Sequence, residues 1–153
     1  MQLDPTDRWS FLGRATSYQG LGETERAAGD FALYVALNAA EVVDGDPLRV
    51  GREVTVSMSE GLVFQLPFSA DEGDKITISA VSPDGSVDPL LVLLDPEGSP
   101  LIGSDDTDAA NLDFNASVEA FEAPEDGDYL LLVTHAGGGS EGRVQVLVEA
   151  ADK

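Results

Sequence analysis

Asp105, Asp106, Asp108 and Asp113 fall within nine residues of the segment GSDDTDAANLD. Closely spaced carboxylates of this kind suit a hard cation. Ca²⁺ takes six to eight oxygen ligands, which side-chain carboxylates and loop carbonyls supply together. Asp84 and Asp88 come from a separate loop and would complete the shell if their strands return to the same end. The spacing is not that of an EF-hand, because the alternation leading to a distal Glu at position twelve is missing. The competing reading is a solvated acidic turn in an acidic protein, and the spacing leaves both open.

Other chemistry is poorly supported. The single His135 precedes a Gly run, with no Ser or Cys nucleophile motif to accompany it, and it reads as an ordinary strand-end residue. Paired carboxylates are uninformative where acids are everywhere. GGGSEG lacks the Lys and the strand-loop-helix setting of a phosphate cradle. Trp9, Phe11, Tyr18, Phe31 and Tyr34 crowd the first 34 residues. They form either a local core or an interface.

The elements that must position these groups read mostly as strands. With 16 Gly and 8 Pro in 153 residues, turns are frequent, which fits many short strands better than long helices. Period-2 alternation marks 52–58, and 61–68, 76–81, 116–122, 128–135 and 144–150 also read as strands between turn signals. The run LLVLLD at 90–95 is almost continuously apolar, as for a strand buried on both sides. PEGS at 96–99 and APEDGD at 123–128 are turns. Residues 8–18 read as a strand. So do residues 30–38, where Phe31, Leu33, Val35 and Leu37 alternate with Ala32, Tyr34, Ala36 and Asn38. A helix capped by Asp30 competes for that segment, since Ala and Leu are good helix formers. The predicted fold is all-β, a jelly-roll-like antiparallel β-sandwich over 46–153 with a β-rich hairpin extension at 1–45.

Charge excludes several partners. The net charge is −21, so nucleic acid and anionic lipid are not expected partners. Residues 1–53 carry five Arg against nine acids, whereas 54–153 carry three basic residues against twenty acids. The chain has no Cys, so neither disulfides nor thiolate metal sites contribute. No apolar run approaches the ~20 residues of a membrane span, and no export signal is legible after Met1.

A weak internal repeat sets residues 3–38 beside 121–150, with Pro5 near Pro124, Trp9 near Tyr129 and Gly29 on Gly142. If it holds, the N-terminus is a second copy of the final hairpin. Such a spare hairpin could add its strands to a neighbouring molecule, and forward donation would grow a filament or surface array. The five N-terminal aromatics would then be interface residues, and self-association the expected partnership.

From about residue 50 to 150 the chain resembles the bacterial pre-peptidase C-terminal domain family. The resemblance lies in GLVFQLPFSADEGDKITISA at 61–80, DPLLVLLDPEGSPLIGSDD at 88–106 and FEAPEDGDYLLLVT at 121–134. It implies a non-catalytic β-sandwich module on exported or surface proteins, with Ca²⁺ in some relatives and collagen or other extracellular polymers bound by others. It also sets Asp88, Asp105 and Asp106 where relatives keep acidic loop residues. Two functions follow as expectations: a self-assembling extracellular structural protein, or a binding module for an extracellular polymer such as collagen or polysaccharide.

Overall fold

The computed structural model describes residues 8–39, 41–59, 61–83, 87–104, 116–135 and 141–150. Two helices come first, α1 (Arg8–Gly20) and α2 (Thr24–Asn38). Nine strands follow: β1 (Glu41–Asp44), β2 (Glu53–Met58), β3 (Leu62–Ala70), β4 (Lys75–Val81), β5 (Pro89–Leu94), β6 (Pro100–Ser104), β7 (Ala116–Glu122), β8 (Gly127–His135) and β9 (Gly142–Ala150). They form a five-stranded sheet of order β1-β3-β8-β5-β6 and a four-stranded sheet of order β2-β9-β4-β7. All ladders between these strands are antiparallel except β1 with β3.

The sandwich core follows from period-2 alternation. Val56 and Met58 of β2, Ile76, Ile78 and Ala80 of β4, and Val144, Val146 and Val148 of β9 are buried. They meet Leu66, Phe68, Leu91, Leu93, Tyr129, Leu131 and Val133 of the opposite sheet in one cluster. Each large apolar side chain so buried contributes about 1.5–3 kcal/mol against chain entropy.

The five-stranded sheet is buried on its other face as well. Leu90, Val92 and Leu132 face away from the sandwich and join Phe11, Ala15, Ala27, Phe31, Tyr34 and Val35 of the helices in a second cluster. This explains the continuous apolar run of β5: Leu91 and Leu93 serve one core, Leu90 and Val92 the other. Gly103 of β6 makes the close approach possible. A Cβ there would stand 2.7 Å from Cδ2 of Phe31 and 3.0 Å from the Leu91 carbonyl oxygen.

The N-terminal β-hairpin expected over 1–45 is corrected: this segment supplies two helices before β1. The buried positions Ala27, Ala28, Phe31, Tyr34 and Val35 recur at helical spacing, with Leu33 and Leu37 exposed at 46% and 40%. The alternation of Phe31, Leu33, Val35 and Leu37 was therefore coincidental. Ala-rich composition favours the helix, and the sheet face beneath stabilises it. Asp30 is not its cap but sits mid-helix. Its carboxylate accepts two bonds from the Arg14 guanidinium, at 2.6 and 2.7 Å. The proposed repeat falls with the hairpin, because 127–135 and 142–150 fold as strands where 8–20 and 24–38 fold as helices.

Candidate functional site

The two sheets offer different outer surfaces. That of the five-stranded sheet lies under the helices, where Phe11, Phe31 and Tyr34 are buried within their own chain. The aromatic interface expected there is thus, for these three, an intramolecular core. Tyr18 is half-buried, with the Arg14 and Arg26 guanidinium carbons 5.9 and 5.8 Å from its ring centre. The side chain of Trp9 lies outside the described set.

Among the described residues, no helix lies on the outer surface of the four-stranded sheet. Its strands alternate buried residues with exposed or half-buried ones. Thr55 and Ser57 of β2, Thr77 and Ser79 of β4, Ser117 of β7 and Gln145 of β9 point outward. The register puts Thr55 opposite Gln145, Leu147 opposite Ser79, and Ser79 opposite Ser117. The result is a mixed face, in which these hydroxyl and amide side chains are joined by the apolar Val81 and Leu147 and the charged Glu53, Lys75, Arg143 and Glu149. At one end Thr55, Pro83, Arg143 and Gln145 line a recess of about 260 Å³. A second groove of about 450 Å³ runs between residues 47–50 and 67–69 with Asp128.

The metal-ligand expectation divides. Asp105, Asp106, Asp108 and Asp113 lie outside the described residues, as does Asp84. Asp88 immediately precedes β5, and β6 ends at Ser104, opposite Leu91. The chain therefore enters the acidic segment at the end of the sheet that holds Asp88. His135 closes β8 at the same end, paired with Pro89. It is buried, and its Nε2 accepts the Gly61 N–H at 2.9 Å. The Tyr34 hydroxyl donates to the His135 carbonyl oxygen at 3.3 Å. These contacts give His135 a structural role.

A different acidic group gathers at the opposite end. Asp95, Glu97 and Glu125 bring carboxylate oxygens within 4.8 Å of one another. Two turns build this arrangement. Asp95 Oδ1 accepts from the N–H groups of Glu97 and Ser99, closing the β5–β6 turn. Glu125 belongs to the β7–β8 turn, where its carbonyl oxygen accepts the Tyr129 hydroxyl at 2.6 Å. Gly127 lets the turns touch, since a Cβ there would lie 2.5 Å from Pro96. The Glu125 carboxyl titrates above its ordinary range, chiefly because it hydrogen-bonds Glu97, with desolvation and the charges of Glu97 and Asp95 adding to the effect. An all-oxygen set of this kind suits Ca²⁺ or Mg²⁺ better than a soft metal. Sequence reading missed it because the three acids are scattered over two turns. Both turns were legible, but their contact was not.

Residues 66–135, from within β3 to the end of β8, match the family model of the bacterial pre-peptidase C-terminal domain. Over these residues the sandwich is of the pre-peptidase C-terminal type. None of the curated proteins matches the chain. Among solved structures, the pre-peptidase C-terminal domain of collagenase from Bacillus anthracis is similar, with a TM-score of 0.54 and 16% identity over 71% of this chain and 95% of that one. CorA, a surface-associated copper-binding protein of Methylomicrobium album BG8, is similar with a TM-score of 0.53 and 10% identity, over 72% of this chain and 100% of that one. At these identities the likeness establishes the fold. Among the described residues no helix is long and apolar enough to cross a membrane.

Proposed function

We propose that the chain is a non-catalytic accessory module of an extracellular or cell-surface protein, binding an extracellular polymer on the outer face of its four-stranded sheet. The observation that carries this reading is the asymmetry of the sandwich: helices pack on one outer face and bury Leu90, Val92 and Leu132, while the other carries no helix among the described residues and presents Thr55, Ser57, Thr77, Ser79 and Gln145. Support also comes from the family match and from the two similar structures, one belonging to a collagenase and one to a surface-associated protein. Self-assembly by strand donation is not carried forward, because the supposed donor is a helical hairpin packed on its own sheet. Co-sedimentation with collagen fibrils, chitin and cellulose tests the proposal. Retention on one of them, reduced by bulky substitutions at Thr77 and Ser79 and unchanged by substitutions at Leu33 and Leu37, is the expected outcome. Equal loss from both pairs would overturn the assignment of the face.

Ca²⁺ forms a second part of the proposal, held by Asp88 together with Asp105, Asp106, Asp108 and Asp113. Supporting it are the carboxylate spacing and the β5–β6 register, which leads into the acidic segment beside Asp88. Calorimetric titration with Ca²⁺ should give saturable heat that Asp105→Asn with Asp106→Asn removes. A titration without heat would refute it.

A further inference from the structure

On the open face Thr55, Pro83, Arg143 and Gln145 line a recess whose basic side chain is Arg143. The register sets Ser57 opposite Arg143 and Thr55 opposite Gln145, so hydroxyl, amide and guanidinium groups share one small volume. Arg143 is exposed. It forms no ion pair among the described residues, where Arg14 and Arg26 both do. Residues 54–153 hold only three basic side chains against twenty acids. One of those three is exposed here and pairs with no acid among the described residues.

We infer that this recess receives the carboxylate of an acidic sugar within a largely neutral polysaccharide. The inference rests on the polymer-binding reading of the open face and names the ligand class for it. A guanidinium presents two parallel N–H donors that match a carboxylate. The Thr55 hydroxyl and the Gln145 amide provide further donors and acceptors for neighbouring sugar hydroxyls. Beyond the recess, Ser57, Thr77, Ser79 and Ser117 continue a surface of short polar groups. A protein partner would call for buried aromatic anchors; among the described residues no aromatic occupies an outward position of this face, whose apolar outward side chains are Val81 and Leu147. A densely anionic chain would be repelled by a molecule of net charge −21. An isolated carboxylate among neutral sugars satisfies both constraints.

The test uses the full chain and neutral oligosaccharides that carry a single glucuronate. Their carboxyl-reduced, neutral counterparts and a glutamate-bearing peptide serve as comparisons. Affinity is read by calorimetry, and the site by NMR shifts at Thr55, Arg143 and Gln145. Binding should weaken about tenfold or more on carboxyl reduction and to a similar degree with Arg143→Gln. Arg143→Lys should recover only part of it, because the planar fork is lost. The exposed position means that Arg143→Gln should leave the melting temperature unchanged. If the neutral oligosaccharide binds on the sheet as tightly as the acidic one, the polymer-binding reading survives and the carboxylate inference fails. If the peptide binds in the recess and no saccharide does, a protein ligand replaces the saccharide. If nothing polymeric binds to the open face, both readings fail.

Discussion

Phe31 of α2 rests on Gly103 of β6, so close that an added Cβ would come within 2.7 Å of Cδ2 on the ring. This contact fixes the helical hairpin to the sheet at a position with no side chain to yield. Gly103→Ala should therefore destabilise the chain by about 1–3 kcal/mol through overpacking. Phe31→Ala should cost about 3–5 kcal/mol through the cavity it leaves. Chemical denaturation measures both. A neutral Gly103→Ala would show that the hairpin shifts freely on the sheet.

The Arg14–Asp30 clasp ties α1 to α2. Asp30 is buried and Arg14 is partly exposed, and the bond to Asp30 raises the Arg14 pKa further. Removing the guanidinium leaves a buried carboxylate without compensation, which is a costly state. Arg14→Gln should lower the melting temperature by several degrees, and Arg14→Lys should recover part of the loss without restoring the bidentate geometry. An unchanged melting temperature in Arg14→Gln would show that water compensates Asp30 fully.

The Glu97–Glu125 pair makes stability depend on pH. The folded-state pKa of Glu125 is raised, so its contribution is fully present below the ordinary carboxylate value. It is lost as pH rises through the raised one. Once ionised, Glu125 is repelled by the charges of Glu97 and Asp95. Glu125→Gln should raise the melting temperature at pH 7 and flatten its fall as pH rises. A variant less stable than the parent at pH 7 would contradict this.

The buried His135 serves as an acceptor for Gly61 N–H. His135→Ala should cost about 2–4 kcal/mol, from an unsatisfied backbone donor and a cavity together. Tyr34→Phe, which loses the longer bond to the His135 carbonyl, should cost about 0.5–1.5 kcal/mol. Denaturant titration of the two variants separates these effects. Equal losses would mean that the Gly61 bond carries little.

Strands were legible wherever one face meets the core and the other meets solvent. The alternation of β2, β4 and β9 and the turns around Pro96 and Pro124 all appear as read. β5 was legible as doubly buried, but its second covering layer was not. The second helix escaped because Phe31 and Val35 satisfy both period 2 and period 3.6, while Leu33 and Leu37 complete the alternation but lie exposed on the helix. What decided between them was the apolar sheet face formed by Leu90, Val92 and Leu132, distant in sequence. β1 was not legible as a strand, since its four residues take part in the sheet through their parallel pairing with β3. For the site, Asp95, Glu97 and Glu125 needed a turn-to-turn contact that no spacing records, and the Arg143 recess needed the β2–β9 register.

Hydrogen exchange on the intact chain, with and without the polymer that retains it, tests the binding face most directly. Protection should appear in β2, β4 and β9, centred on Thr55, Ser79 and Gln145, and leave α2 unchanged. Protection confined to α1 and α2, or retention by none of the polymers, would contradict the account.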